Sequence, residues 1–289
     1  MKTQFFQRLA SSAIAVSMLA IFLSLSQHRL LAPLFVLLCA WLISKGLQEY
    51  YRLAAAKGYQ PLSTQAIVYG CAYVLATYLA LQWQQFEFLP DFILLFSFVL
   101  FFLSFFNKNP APLANLAVTL FGLVYLVIPI SCVLRINYFS LQETPLDGRF
   151  WLVYVLSVTK ACDIGAYFTG KILGQNKLAP SISPKKTIEG AIGGLIASVA
   201  VSFLFQRLLF EQYRTAAFSL QLWQSLLLGL LFGILAQIGD LSESILKRDA
   251  GVQDSSDLPG LGGILDMMDS LVFTLPLMYL LMKVGVFIH

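Results

Sequence analysis

Charge is scarce in this sequence, and histidine is scarcer. Only 12% of its 289 residues are charged, against about 25% in a soluble globular domain. That excludes a soluble enzyme of ordinary composition. The two histidines are His28, in a short turn, and His289, the last residue. A serine–histidine triad, a two-histidine zinc helix or a haem site has almost nothing to be built from. The cysteines, Cys39, Cys71, Cys132 and Cys162, lie inside apolar runs without CxxC spacing. They read as buried small hydrophobes, not as a disulfide framework or zinc ligands. No internal repeat, low-complexity tract or soluble-domain linker interrupts the chain. The net charge of +4 is modest, so no nucleic-acid partner is expected.

In place of charge there is apolar surface, 58% of residues, gathered in runs near the roughly 20 residues that cross a bilayer as a helix. These runs predict an all-α, polytopic integral membrane protein; a membrane barrel would show short alternating segments instead. Nine spans are expected, at roughly 9–26, 30–47, 65–82, 91–106, 113–134, 150–170, 188–209, 222–246 and 264–286. Lys2 and Arg8 ahead of an apolar run could mark a secretory leader. The run is longer than a leader's and lacks a small-x-small cleavage site, so it reads as an uncleaved first span. After the second span, Glu49-Tyr50-Tyr51-Arg52 looks interfacial, with the tyrosines at headgroup depth. Most of the 19 lysines and arginines fall in loops that share a side with the N-terminus, which places that terminus in the cytosol. The loops after the sixth and eighth spans then face the cytosol as well.

Those two loops and their flanks hold the chemistry. Asp240, Glu243 and Lys247, with Ser244 between them, fall on one helical face. Asp240 comes 17 residues after the interfacial Trp223, roughly 26 Å along a helix, at the cytosolic edge of the hydrocarbon. A turn containing Pro259, Gly260, Gly262 and Gly263 follows, and Asp266 and Asp269 open the ninth span at the same depth. Oxygen ligands from two helix ends, beside glycines and the Lys247-Arg248 pair, suit a hard divalent cation and the phosphates it bridges. Capping acids are the plainer explanation, but that role suits Asp240 and Glu243 poorly near a helix C-terminus. Lys160, Asp163 and Tyr167 share one face of the sixth span, with Asp163 roughly 10 Å inside the membrane surface. They are either a self-neutralising pair or an extension of the site to where a lipid headgroup reaches. The loop after that span carries Lys185 and Lys186 directly before a helix start, an anion-friendly arrangement and also an ordinary positive-inside loop. Gly190, Gly194, Ser198 and Ser202, spaced by four, point to close helix packing.

Read as they stand, these stretches resemble the phosphatidate cytidylyltransferase (CDP-diacylglycerol synthase) family. Its pattern is roughly S-x-x-K-R-x4-K-D-x-S/G, then P-G-H-G-G-x-x-D-R-x-D. Ser244, Lys247, Arg248, Asp254, Ser256, Pro259, Gly260, Gly262, Gly263, Asp266 and Asp269 match it, and residues 163–194 resemble a second block. Gln253, Leu261 and Met267 stand where the family usually has lysine, histidine and arginine, and the chain is one residue shorter between Ser256 and Pro259. The likeness covers roughly the C-terminal 130 residues; the first half matches only as generic spans. It implies a single membrane domain, 1–289, with a generic spanning half, 1–150, and a catalytic half, 151–289. It also implies the reaction of CTP with phosphatidic acid to give CDP-diacylglycerol and pyrophosphate. Asp240 and Asp266 would then bind Mg²⁺ first, supported by Glu243 and Asp269, with room for a second cation. Lys185, Lys186, Lys247 and Arg248 would neutralise phosphate charge, Ser244, Gly262 and Gly263 would line the approach, and Lys160, Asp163 and Tyr167 would border the lipid phosphate. The same likeness implies a homodimer; a bacterial inner-membrane location is expected because no transit peptide is apparent, and the loop charges turn the site to the cytosol. A CTP-dependent polyprenol kinase would use similar parts, and an ion-coupled transporter would use Asp163 and Asp240 as cation ligands.

Overall fold

The computed structural model describes residues 26, 31–106, 111–139, 147–211, 220–252 and 263–285. The first expected span therefore lies outside the described residues, apart from Ser26. The helices are α1 (Ala32–Ala56), α2 (Ser63–Gln82), α3 (Leu89–Phe105), α4 (Pro112–Gly122) and α5 (Ile128–Asn137). Then come α6 (Gly148–Leu173), α7 (Ile188–Phe205), α8 (Leu222–Asp249), α9 (Ile264–Met268) and α10 (Leu271–Val284). A π-helical turn, Leu123–Val127, joins α4 to α5, so together they make one rod. Among the described residues, seven segments are long and apolar enough to cross a membrane: Ala32–Ala56, Ser63–Gln82, Gln84–Phe105, Pro112–Asn137, Ile188–Phe210, Leu222–Asp249 and Ile264–Val284. The sixth expected span is present as α6, 26 residues long, but it is not among the seven. Lys160 and Asp163 lower its apolar character.

The chain forms two compact units. One takes the chain up to Arg135 together with Leu246–Met267, and the other takes Ile136–Ile245 together with Met268 onward.

In the first unit, Phe35, Cys39, Ile43 and Leu47 repeat every four residues along α1, and all are buried. This is the stripe that a helix needs to pack. Tyr50 and Tyr51, expected at headgroup depth, turn inward. Their hydroxyls donate to the carbonyl oxygens of Val118 and Thr119, at 3.1 and 2.8 Å. The unpaired hydroxyl of a buried tyrosine would be costly, and the last turn of α4 supplies the acceptors. The large apolar side chains of α3, Phe92, Leu95, Phe96 and Phe102 among them, are exposed, as a lipid-facing helix requires.

In the second unit α6 and α7 pack almost backbone to backbone. Gly190, Gly194, Ser198 and Ser202 are the buried residues of α7. A methyl group at Gly190 would lie 2.9 Å from the carbonyl oxygen of Ala166, and one at Gly194 2.9 Å from that of Cys162. Small residues are needed there because the partner helix occupies the space. The stripe is therefore used inside the chain. Between the two helices lies a feature that the all-α reading lacks, an antiparallel hairpin of β1 (Lys177–Ala179) and β2 (Ser183–Thr187), pairing Lys177 with Thr187. Its sequence has no apolar alternation, so no strand signal was available. Thr187 ends β2 and caps α7, its hydroxyl accepting the N–H of Gly190 at 3.1 Å. The Glu189 carboxylate accepts the N–H groups of Gln175 and Asn176 and the Asn176 side-chain amide, which ties the hairpin to the start of α7.

Candidate active site

The second unit holds a cavity of about 340 Å³ lined by α6, the hairpin, α7 and α8. Asp163, Tyr167, Lys185, Lys186, Gln237 and Asp240 are among its walls. The spacing argument for α6 holds in space: Lys160 Nζ lies 2.9 Å from Asp163 Oδ2. Tyr167 reaches the cavity with most of its ring exposed, and Lys171 Nζ sits 5.8 Å from the ring centroid. From β2, Lys186 extends to Asp240 of α8, with Nζ and Oδ2 2.8 Å apart. Lys185 is exposed beside it. Gln237, one turn before Asp240, donates to the Ala191 carbonyl oxygen at 2.8 Å and so pins α8 to α7.

Asp269 and Ser270 form the turn between α9 and α10 and belong to this unit. Gly239 has no side chain because the Asp269 carbonyl lies where a Cβ would stand. That close approach sets the turn against α8 next to Asp240. Asp269 is buried, accepts the N–H of Ser270 and lies within electrostatic reach of Asp240, Asp163 and Lys160. Ser270 is wholly buried and was not foreseen. Its hydroxyl accepts from Lys160 Nζ at 2.8 Å and donates to Asp163 Oδ2 at 3.1 Å. Its partners lie more than a hundred residues away in sequence, beyond any helical-spacing rule. Glu243 is buried on α8, and Ser244 is half-buried next to it.

The other expected residues lie in the first unit. Lys247, also buried, donates to Asp266 Oδ1, and Asp266 Oδ2 accepts the N–H of Gly263 at 3.1 Å. Arg248 is exposed and donates to the Val252 carbonyl oxygen. Gly251, at φ +71°, ends α8: its own N–H and that of Val252 return to the carbonyls of Arg248 and Lys247. Gly262 and the cation-poor positions Gln253 and Leu261 lie outside the described residues. Glu49 is the second residue whose role the sequence does not announce. Buried on α1, it accepts the N–H groups of Ile264 and Leu265 at 2.9 and 2.8 Å. An acid inside an apolar run was the available signal.

Among the described residues, no group of three or more histidine, cysteine, aspartate and glutamate side chains is disposed to hold a metal ion. A cage made only of protein ligands does not fit. Mg²⁺, however, keeps several waters and needs only one or two carboxylates when substrate phosphates complete its shell. The carboxylates of Asp163 and Asp240 on the cavity wall are oxygen donors of that kind.

A cavity with lysines and carboxylates on its wall, in a chain of helices apolar enough to cross a membrane, defines a class, enzymes or carriers that handle anionic groups at a bilayer. Comparison with known proteins narrows it, because the cytidylyltransferase family pattern matches residues 6–285. The chain belongs to the cytidylyltransferase family. It is 33% identical over 288 residues to the phosphatidate cytidylyltransferase of Chlamydia pneumoniae, covering 96% of this chain and 92% of that one. It is 35% identical over 265 residues to that of a Synechocystis species, covering 83% and 85%. It is 39% identical over 187 residues to that of Staphylococcus haemolyticus, covering 64% and 66%.

Proposed function

We propose that this chain is a phosphatidate cytidylyltransferase, which converts CTP and phosphatidate to CDP-diacylglycerol and pyrophosphate. Family membership along nearly the whole chain supports the reaction. The observation that carries the site is the cavity in which Lys186 meets Asp240 beside Asp163. A phosphate oxygen of the lipid attacks the α-phosphorus of CTP. As that P–O bond forms, the bond to the bridging oxygen of the β-phosphate breaks, and pyrophosphate leaves with its electrons. The nucleophile is already an anion, so the protein needs neither a histidine base nor a nucleophile of its own. Its work is to bring two anions together and hold them in line.

Lys185 and Lys186 neutralise the triphosphate and, on reaction, the departing pyrophosphate. Lys160, held by Asp163 and Ser270, and Tyr167 border the lipid phosphate. Asp240, with Asp163 and Asp269 near it and Glu243 one turn on, is the first candidate to hold Mg²⁺. Asp266 of the first unit is a candidate in its own right, with Lys247 and Arg248 as further phosphate contacts and Ser244, Gly262 and Gly263 as backbone and hydroxyl contacts. When bound, the cation supplies charge neutralisation at the phosphates. The remaining features belong to the same proposal: nine spans, a cytosolic N-terminus and a site facing the cytosol of a bacterial inner membrane. So do one working membrane domain with its chemistry in 151–289, and a homodimer that uses a surface other than the glycine stripe of α7.

Purified full chain given phosphatidate, Mg²⁺ and CTP labelled at the α-phosphorus should place the label on the lipid and release unlabelled pyrophosphate. Transfer of the γ-phosphoryl alone would make the protein a lipid kinase, and no transfer with cation uptake into vesicles would make it a transporter. Either result overturns the assignment.

A further inference from the structure

Gly263 opens α9, its carbonyl accepting the first helical bond from the N–H of Met267 at 3.2 Å. A helix leaves its first amide N–H groups unpaired, and the residue before it normally caps them with its side chain. Gly263 has no side chain. The three amides are nevertheless all taken by carboxylates. Asp266 reaches back to the N–H of Gly263 at 3.1 Å, as the third residue of a capping box does. The N–H groups of Ile264 and Leu265 go to the two oxygens of Glu49, one each. Glu49 comes from α1, over two hundred residues away in sequence, and is buried. A buried carboxylate is tolerated only when it is well hydrogen-bonded, and these two amides supply the bonds. Gly46, one turn earlier on α1, faces Ile264, and the Ile264 and Leu265 side chains are buried.

We infer that Glu49 is a positioning residue for Asp266: it supplies from α1 the cap that Gly263 lacks, and so fixes the turn from which Asp266 projects. The inference rests on the reading of Asp266 as a working carboxylate. A glutamine at 49 offers one acceptor oxygen and turns an NH₂ donor toward the second amide, which leaves one N–H without a partner.

The test uses the full chain in nanodiscs, with hydrogen exchange and steady-state turnover measured on the same preparations. Glu49→Gln should speed exchange in residues 263–268 while α6 and α7 keep their protection. It should lower kcat about 10- to 100-fold, the usual cost of losing a residue that orients a ligand, with little change in KM for CTP. Glu49→Asp, which keeps the charge, should recover part of both. Unchanged exchange at 263–268 overturns the proposal, and so does faster exchange with wild-type kcat. Faster exchange throughout the chain, with no recovery in Glu49→Asp, also overturns it, because Glu49 would then serve folding alone. Asp266→Asn with normal turnover removes the premise, and that failure is distinct because it leaves the exchange result standing.

Discussion

Helix α8 contributes one member to each of two lysine–carboxylate pairs, and the pairs differ in what surrounds them. Lys186 and Asp240 meet at 2.8 Å on a cavity wall, with side chains 23% and 39% exposed. Lys247 and Asp266 are more enclosed, at 11% and 28%, and the second oxygen of Asp266 is committed to a backbone amide. The partners of the first pair can exchange each other for phosphate and cation at little cost, because a solvated ion pair is worth only about 0–1 kcal/mol. The partners of the second are less open to solvent, and Asp266 is also tied to the Gly263 amide, so their exchange is costlier. One arrangement is ready to exchange partners, and the other fixes the direction in which its carboxylate points.

The sharpest way to break this contrast is Asp240→Asn. It should lower CDP-diacylglycerol formation about 100- to 1,000-fold, as loss of one charge-stabilising group does in other active sites, without moving the thermal unfolding midpoint. Near-normal turnover would show that the open pair is only structural. A smaller effect separates the two lysines. Lys186→Ala should raise KM for CTP and leave stability intact. Lys247→Ala should cost about 1–3 kcal/mol of stability by removing a charged hydrogen bond from Asp266. Steady-state kinetics and denaturant unfolding on both variants check this, and the same outcome for both lysines would erase the distinction. The smallest effect belongs to the exposed pair at the first unit's surface, Lys57 with Asp249 at 2.9 Å. The hydrogen bond to Asp249 raises the Lys57 pKa above the ordinary lysine value. Its contribution is therefore fully present below that value and is lost as pH climbs through the raised one. Unfolding midpoints of wild type and Lys57→Ala should run parallel from neutral to mildly alkaline pH and converge only beyond the lysine range.

The parts of this site that could be read from the sequence are those whose partners are local. Lys160 and Asp163 lie a helical turn apart, and they do pair. Gly190, Gly194, Ser198 and Ser202 announced a packing stripe by their spacing, and they form one. Asp266 stood out against apolar surroundings. Lys186 reads as an anion contact, but its meeting with Asp240 depends on a hairpin with no hydrophobic alternation to reveal it. The roles of Ser270 and Glu49 are hidden for a related reason. One is an unremarked serine at the start of an apolar run, the other an acid beside two tyrosines, and each acquires its role only when distant helices come together. Tyr50 and Tyr51 show the opposite error, because aromatic residues near a span end suggest lipid headgroups until acceptors turn up inside.

The hairpin carrying Lys185 and Lys186 hangs from two helices that touch through glycine. Its anchor points are closely packed, so the lysine tips inherit their aim from positions that bear no charge. Adding a single carbon at Gly190 would pry the two rods apart at the root of the hairpin and swing Lys186 away from Asp240. A screen for lost activity should therefore recover silent-looking alanines along α7 as readily as changes to the acids themselves.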